Sequence, residues 1–299
     1  MDRGPFRSKA RESRLLIVDA QVHLWSGGQP PAHHRQHPFG AEALVAEMDA
    51  AGVSRAVLVP PNWDPAGNEP SLRAAADYPD RFAVMGRLEV ADPSAPAALA
   101  RWRDRPGLLG ARLCFNDPRT RTLLIERKAD WFWGAAERLG LPVMVLAPGL
   151  LPLLADVALR HPGLRLVIDH LAIPRGARGK AAFEHLPELL AIAAYPNVAV
   201  KAVGLPAYTV DEVFPFTSLH APLRQVFDAF GPERMFWGTD LSRMKQPYTA
   251  CVEMFTTLPW LKGDDLAQVM GLGLCRWIGW PTDAASAIGR GVAAPAAAG

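Results

Sequence analysis

Cysteine is scarce in this 299-residue sequence: Cys114, Cys251 and Cys275 are the only three, far apart and without a C-x-x-C spacing. An odd, scattered set argues against a disulfide framework and against a cysteine-based zinc site, and it suits a reducing compartment. Long apolar runs are missing too. None approaches the roughly 18 residues that a membrane-spanning helix requires, and Met1 to Arg14, polar and basic, lack the apolar stretch of a secretory signal. A cytoplasmic location is the expectation. Neither sign of charge dominates, since 32 Lys and Arg against 30 Asp and Glu leave a formal +2. Nucleic acid and anionic membranes select a larger basic surplus, so neither is an expected partner.

What is present is the composition of a globular domain, 49% hydrophobic and 21% charged. Residues 1–14 carry charge without pattern and read as a flexible N-terminal segment. Residues 282–299, rich in Ala, Gly and Pro and ending AAPAAAG, read as a disordered tail. The stretch 15–281 shows neither linker nor short-period repeat and reads as a single domain.

Within it, short apolar, β-branched runs recur at Leu16–His23, Ala56–Pro60, Phe82–Leu88, Gly110–Phe115, Pro142–Ala147, Leu164–His170, Val198–Ala202 and Met235–Asp240. Helical spacing lies between them. Ala41–Ala51 stops at Gly52, Trp131–Leu139 at Gly140, Leu150–Arg160 before Pro162 and Ala221–Phe230 at Gly231. Glycine just past a helix followed by a strand is a common junction. Strands alternating with helices imply a covered parallel sheet. Eight such units suit a closed (β/α)8 barrel of the TIM type better than the alternative, a doubly wound open sheet.

A barrel of this kind carries its site at the C-terminal ends of its strands. Alternation along each strand sorts the candidates. Asp19, Gln21 and His23 fall on one face of the first strand. His170 falls with Leu166 and Ile168, Lys201 with Ala199, and Asp240 with Phe236 and Gly238. Their concentration at strand ends suggests a shared polar cavity, because an isolated buried charge costs several kcal/mol.

Three of these segments, IVDAQVHLW, LVIDHLAIP and MFWGTDLSRM, resemble the main landmarks of the amidohydrolase superfamily. The likeness is to the amidohydrolase-related branch that includes sugar- and pyrone-lactonases and, more distantly, aminocarboxymuconate-semialdehyde and resorcylate decarboxylases. It runs from Leu15 to Trp280 and implies the same barrel with the site at its mouth. The departures are as informative. The family's H-x-H after the first strand reads Gln21-Val22-His23 here. The fifth-strand histidine of metal-binding members is replaced in LPVMVLAPG by Leu146 or Ala147, and no histidine occurs between His37 and His161. His170 matches the sixth-strand histidine and Asp240 the eighth-strand aspartate. A catalytic zinc generally takes three protein ligands. Only His23 and Asp240 remain for one, with Gln21 a poor neutral donor, so no tightly bound metal or other cofactor is expected. Enlisting His170 as a third ligand is the route by which zinc or another divalent ion would return.

These residues suit an activated ester. Asp240 is the candidate base for a hydrolytic water, and His23 and His170 are candidates to polarise the carbonyl or carry the proton. Arg112, in GARLCFN, is placed to grip a substrate carboxylate, and Lys201 to stabilise the developing oxyanion. Each has a plainer reading. Asp240 and Lys201 would form a structural ion pair, Arg112 a rim salt bridge, and the histidines satisfied core positions. Asp19 reads as a fixer of strand-end geometry and Asp169 as an outward-facing cap. Gln21, Asn62, Trp63, Tyr208 and Arg243 are further pocket-lining candidates. His33, His34 and His37 lie in SGGQPPAHHRQHPFG, which reads as a solvated loop over the mouth. Phe214, Phe216 and His220 suggest a lid or subunit contact, and Trp131, Trp133 and Trp237 core packing.

The leading expectation is a hydrolase opening a lactone or similar ester of a small carboxylated or hydroxylated molecule. The alternatives are a metal-dependent non-oxidative decarboxylase of an aromatic or muconate-like acid, and a degenerate barrel that binds a ligand without turnover. The expected partner is a small-molecule substrate, and because such barrels often pair, a homodimer is the assembly to test for.

Overall fold

Each apolar run becomes a strand in the computed structural model, which describes residues 15–282. The strands are β1 (Val18–Val22), β2 (Arg55–Leu58), β3 (Phe82–Arg87), β4 (Leu108–Cys114), β5 (Val143–Leu146), β6 (Leu166–Ile168), β7 (Val198–Val203) and β8 (Met235–Gly238). They pair in parallel and in chain order. Parallel neighbours need a crossover. Helices α1 (Ala41–Ala51), α2 (Glu69–Asp77), α3 (Ala95–Ala100), α4 (Pro118–Ile125), α5 (Asp130–Arg138), α6 (Leu151–Arg160), α7 (Leu186–Ile192) and α8 (His220–Phe230) supply it, and α9 (Tyr248–Thr256), α10 (Gly263–Ala267) and α11 (Gly273–Ile278) follow β8. The architecture is the expected α/β barrel. The segment 1–14 and, apart from Thr282, the tail 282–299 lie outside the described residues.

The helix boundaries follow from local chemistry. Leu44 and Met48 of α1, one turn apart, face the barrel, and Gly52 ends the helix in the left-handed region at φ 71°. Asp117 starts α4 by accepting the backbone N–H groups of Arg119 and Thr120, with Pro118 at the first helical position. Inside the barrel, Val18, Val57, Ala83, Met85, Met144, Val167, Ala199 and Phe236 pack together. Leu274, Cys275 and Ile278 of α11 join them with Trp280. That helix is tied to the N-terminal ends of the strands, since Arg165, before β6, donates to Trp277 O, and Arg55, opening β2, donates to Pro281 O.

The join between β8 and β1 is unlike the other seven. Asp240 N–H donates to Gln21 O at 3.0 Å, and Asp19 bridges the strands with its side chain. Its Oδ1 accepts Thr239 N–H at 2.9 Å and its Oδ2 the Tyr248 hydroxyl at 2.7 Å. Gly238 permits the approach, because a Cβ there would meet Ala20 N, Val203 Cγ2 and Asp19 Oδ1 at under 3 Å. Among the described residues no helix is long and apolar enough to cross a membrane. Trp133 and Trp237 are buried as expected, with Trp131 partly so, and Phe216 is a core residue while Phe214 is exposed.

Candidate active site

Simple alternation fails where the site is built. Between the pairs Asp19–Ala56 and Val22–Leu58, β1 carries one more residue than β2. This bulge leaves Val18 and Ala20 in the barrel interior and turns Gln21 inward as well, while Asp19 faces the seam. Asp19 therefore fixes strand-end geometry and does not share a face with Gln21 and His23. On β6 the inward residue is Val167, so Asp169 is the next to point in. The outward cap expected of Asp169 is wrong. The chain then turns left-handed through His170, Leu171 and Ala172, at φ 52°, 51° and 56°, and this turn brings His170 to the mouth. Asp240 sits at φ 52° too. Left-handed geometry at a non-glycine residue costs about 1–3 kcal/mol and persists where its surroundings hold it.

His23 and Asp240 meet at the floor of a cavity of about 450 Å³. His23 Nδ1 lies 2.5 Å from Val59 O, so that nitrogen carries a proton. Its Nε2 is 3.1 Å from Asp240 Oδ1. One ring nitrogen thus faces a carbonyl and the other a carboxylate. The Asp240 contact is poorly aligned as a hydrogen bond, leaving Oδ1 with lone-pair capacity. Asp240 Oδ2 is 3.5 Å from Arg243 Nη1 and 3.8 Å from His170 Nε2. Burial would raise the Asp240 pKa, but His23, His170 and Arg243 outweigh it and hold the carboxyl well below its ordinary 3.8. Burial lowers His170 from 6.5 to about 4, so this ring is neutral at pH 7.

Beneath the floor lies a second cluster. Lys201 Nζ is 2.8 Å from Asp169 Oδ1, 2.6 Å from Gln21 Oε1 and 3.2 Å from the Met144 sulfur. Arg112 Nε donates to Asp169 Oδ2 at 3.0 Å. Burial opposes ionisation of Asp169, yet Lys201 and Arg112 bring its pKa below 3.8. Lys201 lies behind Gln21, outside the cavity lining where a direct oxyanion contact was expected of it, and it pairs with Asp169 rather than with Asp240. Arg112 does line the cavity, and neither terminal nitrogen has a protein acceptor among the described residues.

Asn62, Trp63, Tyr208 and Arg243 line the cavity as the sequence suggests. Arg243 Nη1 donates to the Tyr208 hydroxyl at 3.1 Å. The histidine loop departs from expectation. His34 Nδ1 lies 2.7 Å from Ser242 Oγ, and Arg35 N–H donates to Ser242 O at 2.8 Å. These contacts latch the loop to the segment after β8, so His33 and His34 wall the cavity while His37 stays exposed. The His34 ring lies tilted against Trp63, with centroids 4.6 Å apart, and burial lowers its pKa to about 3. Arg175 and Arg178, after β6, also line the mouth and make no ion pair among the described residues. Sequence reasoning passed over them; the signal was two arginines three apart in a glycine-containing loop directly after a strand end. Cys114 ends β4 in the cavity wall, its thiol pKa pushed up by burial.

The donor set does not suit a three-ligand transition-metal site. Leu146 occupies the end of β5 in the cavity wall, and His170 Nε2 is engaged by the Gln21 amide at 3.1 Å. His23 Nε2 and Asp240 remain, and among the described residues no group of three His, Cys, Asp or Glu side chains is spaced to hold an ion.

Comparison with known proteins agrees with this architecture. The family profile described as Amidohydrolase matches residues 18–298. An L-fucono-1,5-lactonase from Burkholderia ambifaria is 30% identical over 246 residues, covering 75% of this chain and 79% of that protein. An amidohydrolase from Burkholderia multivorans with bound zinc superposes with a TM-score of 0.76 at 21% identity, over 89% of this chain and 100% of the other. A probable 2-pyrone-4,6-dicarboxylic acid hydrolase from Acinetobacter baumannii, with citric acid bound, gives 0.69 at 16% identity, over 88% and 99%. With the profile spanning nearly the whole barrel, the chain belongs to the amidohydrolase family and is a hydrolase built on an eight-stranded α/β barrel.

Proposed function

We propose that the protein hydrolyses a lactone, or a similarly activated ester, of a small carboxylated or hydroxylated molecule. The observation that carries this reading is the His23–Asp240 pair, 3.1 Å apart at the cavity floor, with the other His23 nitrogen held by Val59 O. Such a pair accepts one proton and supplies another. Asp240 takes a proton from the water that attacks the lactone carbonyl, and the new C–O bond forms. As the ring C–O bond breaks, His23 gives its Nε2 proton to the leaving oxygen. Transfer from Asp240 to His23 restores both groups, and the product is a hydroxy acid. A carboxylate of low pKa is a weak base, sufficient for the electrophilic carbonyl of a lactone and poorly matched to an amide. The likeness to a sugar lactonase supports the same substrate class.

Arg112 offers its free terminal nitrogens to a substrate carboxylate, and Arg175 and Arg178 draw anions toward the mouth. Turnover needs no tightly bound metal in this reading, because His23 and Asp240 are two donors where a catalytic zinc takes three. A weakly held divalent ion at these two residues is the competing outcome. The test is a panel of L-fucono-1,5-lactone, a carboxylated lactone and an aromatic carboxylic acid, assayed with chelator and with added zinc. Ring opening that survives chelation is expected. Release of carbon dioxide only with metal would replace the proposal with a decarboxylase, and ligand binding without turnover would replace it with a binding protein.

A further inference from the structure

Resting on the lactonase reading, we propose that Gln21 is the donor to the developing oxyanion and that Lys201 is the positioning residue that aims it. The argument is one of hydrogen-bond direction. An ammonium only donates, so the Gln21 atom 2.6 Å from Lys201 Nζ is Oε1. The amide nitrogen is then the atom 3.1 Å from His170 Nε2. An amide N–H also only donates, so His170 Nε2 bears the lone pair and Nδ1 the proton. Val203 O, 3.2 Å from Nδ1, accepts that proton. One amide orientation and one tautomer satisfy every contact from Lys201 to Val203.

The second N–H of Gln21 has no acceptor among the described residues, and Gln21, though fully buried, borders the cavity beside His23 and Asp240, which Lys201 does not. A preorganised N–H in a water-poor site stabilises a carbonyl oxygen as it gains charge. The reversed amide would present lone pairs at the same place and repel that charge. A glutamine held only by neutral neighbours is free to adopt either orientation. The ammonium beneath it removes that freedom, and Asp169 keeps the ammonium compensated in a barrel interior that would otherwise disfavour it. Lys201 thus acts on the reaction without touching substrate, and Gln21 takes an electrophilic part at the position where the family resemblance places a histidine.

The test uses the full chain with ¹⁵N-labelled histidine, the His170 signals being assigned by their loss in His170→Gln. Wild type is expected to show His170 as the Nδ1–H tautomer; the Nε2–H tautomer would overturn the proposal. Lys201→Met is expected to mix the tautomers and to lower kcat on the lactone about 10- to 100-fold with KM within about twofold. Unchanged tautomer and unchanged kcat would overturn it. If Lys201→Met does not fold, Gln21→Glu decides. It keeps the side-chain shape, gives Lys201 a stronger partner and removes the donor, so kcat should fall about 100-fold or more with Tm maintained; retained kcat overturns the proposal. Failure of the lactonase reading looks different. Wild type would then open no lactone, while the tautomer measurement would still report whether Lys201 sets the amide.

Discussion

Lys201 and Asp169 lie under the cavity, each at 0% exposure, with Arg112, 7% exposed, reaching from this cluster into the cavity wall, and the carboxylate there meets both cations. Around the mouth, Arg175 and Arg178 are exposed and meet no carboxylate among the described residues. The two regions use the same chemical groups for opposite purposes. Beneath the floor, removing one member strands its partners out of water, so the cluster defines geometry. At the rim a charge is hydrated whether or not a ligand is present, so it is free to serve recognition. Asp240 sits between them, buried like the floor and open to the cavity like the rim.

The comparison breaks most sharply at that boundary. Asp240→Asn preserves shape and removes the base. Lactone kcat should fall by about 10³-fold, with the circular dichroism spectrum and Tm near wild type. Retained turnover would take Asp240 out of the chemistry. Next in size is the floor. Asp169→Ala leaves two buried cations without a counter-ion and should cost about 3–5 kcal/mol, a Tm decrease of roughly 10 °C by calorimetry. A decrease of a degree or two would mean the cluster is hydrated.

Acid separates the regions by a different route. The folded-state pKa values of His170, about 4, and His34, about 3, both lie below their ordinary 6.5. Below about pH 6.5 the unfolded chain takes up protons that the folded chain refuses. Stability is therefore complete above that pH and declines as pH falls toward 4, by at most about 1.4 kcal/mol per pH unit for each ring. Urea midpoints measured from pH 7.5 to 4.5 should fall, and the fall should shrink in His34→Gln. A flat profile would contradict burial of these rings in neutral form.

The rim gives the smallest effect. Arg175→Ala with Arg178→Ala should leave Tm unchanged and raise KM for a carboxylated lactone about tenfold at low salt, in the range of one to two charge-assisted contacts, with little change for a neutral sugar lactone. Equal changes for both substrates would remove the rim from anion recognition.

The barrel was legible because its rhythm is local. Eight apolar runs, and helices closed by Gly52, Gly140 and Gly231, each report on a few neighbouring residues, and α1 falls at Ala41–Ala51 as read. The candidate site was legible through His23, His170 and Asp240, which the structure brings together at one cavity. Their directions were not. Counting by twos misassigned Asp19 because a bulge in β1 interrupts the count, and it misassigned Asp169 because His170, which only a left-handed turn brings to the mouth, was taken as the inward residue of β6. The place of His34 was beyond local reading for another reason. Its partner Ser242 is 208 residues away, and nothing near either residue encodes that meeting.

Where the barrel's first and last strands meet, the fastening is made from the site itself: the Asp240 amide reaches the Gln21 carbonyl, and Asp19 clasps Thr239 and Tyr248 just behind. Any breathing of the circle at this clasp parts the proposed base from the proposed oxyanion donor. Deuterium uptake at the Asp240 amide would then track idle and competent forms of the enzyme, and a ligand that spans Gln21 and Asp240 would act as a splint, tightening the whole ring from inside.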